Sequence, residues 1–336
     1  MGRRQGSVRG AMGAERPIFV LGCPRSGTTL LQLMLHAHPR IALPSETRFV
    51  LSTYSARNQF GDLREEPNRR ALARSIVGQR ETLFYDLGLD KDEIVEEIAA
   101  APPTLGSALG TIFRAYARRF GKPRWGDKRP GYYENIPALL RLFPDAQIVH
   151  LVRDGRDCVA SLKRMPWFKQ DVHAAVSTWM EAIGSCRRAA RKLPADAYYE
   201  LQYEQLVADP AKQLAALCEF LGEDYEPRMT EPYKIANTTL PKRQVWHSET
   251  HKRVTTARSG SWQGRLEPWE IGLCEMVMGR RLRAFGYELS GVPRPSPTHL
   301  ARYAHVDGMR RGAAYKRRIK DGLERLRESG PVECRL

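Results

Sequence analysis

Gly22-Cys-Pro-Arg-Ser-Gly27-Thr28-Thr29 has the glycine spacing of a phosphate-binding loop, GxxxxGK[ST]. Such loops work because backbone N–H groups and a helix N-terminus converge on phosphate oxygens. Thr28 stands where that pattern has lysine, so the loop's cation is Arg25, with hydroxyls from Ser26, Thr28 and Thr29. A metal-dependent nucleotide site also needs a carboxylate at the end of a neighbouring strand. The apolar run Gln147–Val152 ends instead in Arg153, and the following Asp154 reads either as that carboxylate or as a helix cap. The combination suits a nucleotide held without Mg²⁺ and carrying something other than a transferable γ-phosphoryl group. A third chemical group, Glu46 in ALPSETRF, follows a short strand-like run about 20 residues beyond the loop. It reads as a base returning to the same edge or, equally, as a carboxylate opening a helix.

The elements around these residues alternate. Pro17–Gly22 (PIFVLG) is a buried-strand pattern, and Gly27–Ala37 follows as a helix with Leu30/Met34 and Leu31/Leu35 stacked four apart. Gln147–Val152 and Ala197–Gln202 are further strands, followed by helices at 155–164 and 210–221. Val172, Val176, Trp179, Ile183, Cys186, Ala190 and Leu193 mark one core-facing stripe of a long helix. Residues 52–122 read as helices and polar loops with no strand. The expected fold is α/β: a P-loop-like, mainly parallel sheet flanked by helices, with a helical insertion and a basic C-terminal extension. The domain spans 17–291, between a basic disordered N-terminus (1–16) and a Pro-rich linker with a basic helix or tail (292–336).

The 336 residues carry 54 Lys+Arg against 38 Asp+Glu, a net charge of +16. Composition is otherwise that of a globular chain and excludes a disordered regulator, a disulfide-stapled miniprotein and a fibrous repeat. Residues 1–16 hold +3 of the charge and 292–336 hold +6, leaving +7 for the domain, so the excess points to a small polyanion rather than a nucleic-acid surface. No apolar run is long enough to span a membrane, and the six cysteines lack CxxC spacing and read as buried thiols, so a cytoplasmic chain is expected. His247 and His251 are four apart without a third ligand, and no metal is expected. Ile319, Leu323 and Leu326 lie on one face of a basic helix between 308 and 329, which docks on the domain, meets anionic lipid as a peripheral contact, or is solvated.

PRSGTTLL behind an apolar strand, then HAHP and SETR, resembles the sulfotransferases that use 3′-phosphoadenosine 5′-phosphosulfate (PAPS). IVHLVRDGRDCVASLKR, GDKRP, YEQL and RAFGY continue the likeness from Pro17 to Tyr287, nearest the branch holding the protein-tyrosine and many bacterial enzymes. The resemblance implies that Arg25, Ser26, Gly27, Thr28 and Thr29 bind the 5′-phosphosulfate, and that Arg153 and Ser161 bind the 3′-phosphate. It makes Glu46 the general base and Lys128 the residue near the bridging oxygen, against the bland reading of Lys128 as a solvated loop lysine. Arg48 orients Glu46 or touches the acceptor, Tyr203 contacts the nucleotide, and Ser248, Lys252, Arg258 and Trp262 close over it. The acceptor is a small-molecule, glycolipid or peptidyl hydroxyl, less readily an amine, in a site built by the 52–122 helices. The competing classes are a P-loop kinase or NTPase and a nucleic-acid-binding module.

Overall fold

A computed structural model describes residues 16–239 and 251–335. Five strands, β1 (Ile18–Gly22), β2 (Ile41–Ala42), β3 (Arg124–Lys128), β4 (Gln147–Val152) and β5 (Tyr198–Gln202), form one sheet in the order β2-β3-β1-β4-β5. Every pairing is parallel. β1 lies in the middle, buried at all five residues, which accounts for its unbroken apolar run. Period-two alternation sorts its side chains between layers. Ile18 and Val20 join Leu31 and Leu35 of α1 (Thr28–Ala37) and Leu214 and Leu217 of α10 (Pro210–Leu221). Phe19 and Leu21 meet the opposite layer, which includes α5 (Leu105–Arg119), α6 (Ile136–Leu142), α7 (Gly155–Leu162), α8 (Val172–Ala190) and α12 (Pro268–Ala284).

Between β2 and β3 the chain leaves the sheet for α2 (Phe49–Ala56), α3 (Glu66–Gly78), α4 (Lys91–Ala100) and α5, with short 3₁₀ turns between them. This is the strandless excursion expected for 52–122. β3 is the one strand that the sequence pattern does not announce. RWGDK carries three charges, yet all five residues are buried. Each charge has its own compensation. The Arg124 guanidinium donates to the carbonyls of Arg16 and Leu221 (3.1 and 2.7 Å) and to Gln147, and pairs with Glu223 at 3.2 Å. Asp127 and Lys128 belong to the site below. Gly126 is required there because a Cβ would sit 2.3 Å from the Ile18 carbonyl oxygen of β1.

The proline run at 292–297 does not release the chain into solvent. It passes so close to α12 that a Cβ on Gly272 would lie 2.5 Å from the Pro293 carbonyl. It then enters α13 (Pro297–Arg325), which crosses α8 and returns to the helical insertion. Glu328 pairs with Arg57 (2.6 Å) and Arg141 (2.7 Å), and Asp321 with Arg57 (3.1 Å). Beyond it, Gly106 N–H donates to Val332 O and Cys334 N–H to Leu142 O. All six cysteines are free thiols, five of them buried and Cys334 partly so. The basic segment 1–15 and His247 of the histidine pair lie outside the described residues.

Candidate active site

The loops after β1, β2, β3, β4 and β5 all emerge at one edge, the carboxyl ends of the strands, where ligands bind in open α/β sheets. The register sets them level: Gly22 is paired with Leu151, Val20 with Lys128, and Val152 with Gln202. A cavity of about 590 Å³ opens there. Among the described residues, nine cationic side chains line it, Lys252 and eight arginines, against a single carboxylate, Glu46. That balance fits a ligand with several negative charges.

The β1–α1 loop is built by close approach. Gly27 has φ 101°, in the region that favours glycine, and a Cβ there would be 2.6 Å from the Tyr203 ring. α1 begins at Thr28 with no side-chain cap, so its first N–H groups face the cavity mouth. Ser26 Oγ is buried without a hydrogen-bond partner. Arg25 adopts φ 73°, a left-handed conformation costly for arginine, and its Nε donates to Ser161 Oγ at 3.0 Å. Arg25 and Leu83 are the two non-glycine residues with positive φ among those described, and both line the cavity. Burial and the neighbouring Arg153 and Arg258 push the Arg25 guanidinium below its ordinary value; Arg265 is lowered first by burial, then by Arg153, Arg164 and Arg258. Cations crowded against one another in this way define a site tuned for an anion.

Arg153 leaves the end of β4 and is held on several sides. It donates to the carbonyls of Arg25 (3.1 Å) and Arg258 (2.6 Å), pairs with Asp157 at 3.4 Å and lies 4.4 Å over the Tyr203 ring. Its Nε has no partner. Asp154 is a helix cap: its carboxylate accepts from Arg156 N–H at 2.9 Å and pairs with the Arg156 guanidinium at 2.8 Å. The two other quoted motifs brace this corner. Glu204 of YEQL accepts from Asp154 N–H (3.1 Å) and from the Tyr287 hydroxyl of RAFGY (2.7 Å).

Glu46 and Lys128 meet on the other side of the phosphate loop. Lys128 Nζ is 3.6 Å from Glu46 Oε2 and 3.4 Å from Thr29 Oγ1. Lys128 is 2 % exposed, so the solvated-loop reading is corrected: it ends a buried strand. Glu46 is 27 % exposed and does not cap α2, whose N-cap is Arg48; the Arg48 Nε lies 3.8 Å from Glu46 Oε1. Beneath them Asp127 is wholly buried, accepting from Thr47 Oγ1 at 2.7 Å and from the Tyr132 hydroxyl. Burial raises its pKa to about 6. Thr47 adjoins Glu46 and Asp127 adjoins Lys128, so this buried contact fixes the spacing of the pair.

Of the site residues expected from sequence, Arg25, Gly27, Thr28, Thr29, Glu46, Arg153, Ser161, Tyr203 and Arg258 line the cavity, as does Lys252. Ser26 and Lys128 sit directly behind its wall. Ser248 lies outside the described residues. Trp262 is corrected: it does not line the cavity, for its backbone N–H donates to Asp157 (2.9 Å) and its ring packs 4.1 Å under the Arg156 guanidinium. Asp157, missed from sequence, is the anchor of that segment, accepting also from Gly260 N–H (3.0 Å) and Ser261 Oγ (2.9 Å). Arg129, Arg164, Arg265, Met165 and Trp167 were missed as well. Arg129 adjoins Lys128, and Arg164 lies one turn beyond Ser161, where its N–H donates to the Ser161 carbonyl. Those two were accessible from motif neighbours; Trp167 and Arg265 had no local signal.

A family model described as the sulfotransferase family matches residues 17–227. Protein-tyrosine sulfotransferase A of Caenorhabditis elegans is 25 % identical, over 97 % of this chain and 82 % of its own length. Protein-tyrosine sulfotransferase 1 of Danio rerio is 26 % identical, over 84 % and 76 % respectively. The sulfotransferase domain of the Synechococcus PCC 7002 olefin synthase superposes with a TM-score of 0.58 at 24 % identity, over 82 % of this chain and 97 % of that one, and shares its fold.

Proposed function

The chain belongs to the sulfotransferase family, and from that premise we propose that it moves a sulfuryl group from PAPS to an acceptor hydroxyl by in-line transfer, with Glu46 as general base. The observation that carries this reading is the convergence of Glu46, Lys128 and Thr29 within 3.4–3.6 Å contacts, at one wall of a cavity lined by nine cations among the described residues. Glu46 accepts the acceptor's proton as that oxygen bonds to sulfur. The bond between sulfur and the 5′-phosphate oxygen breaks with its electron pair on the phosphate, where Lys128, Arg25 and the N–H groups opening α1 neutralise the charge. Arg153 and Ser161 hold the 3′-phosphate; their link through Arg25 ties recognition of one phosphate to the other (Arg25 Nε to Ser161 Oγ, 3.0 Å; Arg153 to Arg25 O, 3.1 Å). Tyr203 backs both loops, and Lys252 and Arg258 complete the enclosure. The curated relatives named for tyrosine sulfation favour a phenolic or peptidyl acceptor over a glycolipid.

The kinase alternative needs a metal-directed carboxylate after β4, and Asp154 is engaged as a cap and as the partner of Arg156. Thermal shift separates the two. 3′,5′-Bisphosphoadenosine in EDTA should raise Tm by several degrees at saturating ligand, while Mg·ATP should not. Stabilisation by Mg·ATP alone would overturn the proposal.

A further inference from the structure

α13 turns two different faces outward and inward. From Tyr303 onward the partly covered positions of α13 are 303, 306, 307, 310, 314, 321 and 324, which share the face toward the domain, and Glu328 just past its end is partly covered too. Every acidic residue from Asp307 to Glu328 lies on this inner face. Asp307 accepts from Ser177 Oγ at 2.8 Å, Asp321 and Glu328 pair with Arg57, and Glu324 accepts from Asn58. The outer face is left with no carboxylate. Along it Tyr315, Ile319, Leu323 and Leu326 form one apolar row, respectively 65 %, 48 %, 56 % and 84 % exposed. At 100° per residue, Arg311, Arg318 and Arg325 flank that row on one side, and Lys316 and Lys320 on the other, with Arg327 just past the helix end; Arg311 and Arg325 also reach back to Asp307 (2.7 Å) and Asp321 (2.6 Å).

We propose that this outer face of α13 docks on an anionic lipid bilayer, the helix lying in the interface plane with its apolar row toward the acyl chains and its two basic rails on the headgroups. An amphipathic helix with a narrow apolar stripe between cationic flanks has the composition for that role. No described helix is long and apolar enough to cross a membrane, so the contact is a surface one. A second copy is the poorer occupant, since it would set the same basic rails, with Arg318, Lys316, Lys320 and Arg327 among them, against each other. A nucleic acid would leave the aliphatic row without use, with Tyr315 alone available for stacking.

Sedimentation of the full chain with sucrose-loaded vesicles tests this. Binding to phosphatidylcholine containing about 30 % phosphatidylserine should exceed binding to phosphatidylcholine alone by tenfold or more, and should weaken as salt rises. Ile319→Asp/Leu323→Asp and, separately, Lys316→Glu/Lys320→Glu should each lower affinity for the anionic vesicles by about tenfold. All four residues are exposed, and unchanged melting curves by circular dichroism establish that either variant is folded. Equal binding to neutral vesicles, or full binding by both folded variants, would overturn the proposal. So would a wild-type dimer that Leu323→Asp dissociates in the absence of any vesicle binding.

Discussion

Two sets of side chains line the cavity, and they reach it by different routes. The first comes from the turns that follow β1, β4 and β5, where the sheet register alone brings Gly27, Arg153 and Tyr203 together. Each is then locked by its neighbours: glycine against a ring, guanidinium over that ring and onto two carbonyls. The second set, Arg48, Leu83, Met165 and Trp167, comes from segments that flank helices. Trp167 is 46 % exposed, and Leu83 holds a left-handed backbone between two 3₁₀ turns. The first set has the rigidity to grip one ligand, and the second has the variability to be recut for another. Glu46 and Lys128 lie on the seam.

Breaking the seam should cost most. Glu46→Gln should lower turnover by roughly two to four orders of magnitude while 3′,5′-bisphosphoadenosine still binds near wild type, measured by steady-state sulfation and calorimetry. Retained turnover would remove Glu46 from the chemistry. On the locked side, Arg153→Ala should weaken bisphosphate affinity by roughly 10- to 100-fold, since it deletes a charged donor held in place before the ligand arrives. An effect confined to the acceptor KM would erase the division between the two sets.

The buried contact under the seam gives a pH signature. The Asp127 carboxyl is raised by burial from 3.8 to about 6, so the folded state holds its proton more tightly than the unfolded one. Its stabilising contribution is complete below about pH 4 and is lost as pH rises through 6. Compared with Asp127→Asn in urea melts, the wild type should lose on the order of 2 kcal/mol of relative stability between those limits. A flat difference would mean that Asp127 is charged throughout. The smallest effect belongs to the variable wall. Trp167→Ala should change the acceptor KM by roughly threefold to tenfold and leave bisphosphate affinity alone.

The same division separates what the sequence states from what only the fold reveals. Gly22-to-Thr29 and the arginine ending QIVHLV are contiguous, and their chemistry is a matter of spacing along one strand–turn–helix unit. β3 escaped because its charges are answered from afar, Arg124 by Glu223 and Asp127 by Thr47, partners 99 and 80 residues away in sequence. Trp262 looked like a ligand contact because it follows the closing segment, but its role is to hold that segment on Asp157. Trp167 and Leu83 gave no signal at all, for nothing in a stretch of helix junctions states which side chain will face a cavity formed elsewhere.

α13 imposes an order on the making of this molecule. Arg57 and Arg141 sit in the helical excursion and its neighbour, whereas the carboxylate that joins them, Glu328, is 271 residues beyond Arg57. At ribosomal speed that separation is roughly 15–55 s. Throughout that interval Arg57 lacks the carboxylate that will pair with it, and Arg141, 187 residues before Glu328, lacks it for the later part, so the excursion is complete only after the sheet it belongs to has already been made. The strap is thus a late fastener, and the segments that shape the variable wall are the last to be secured.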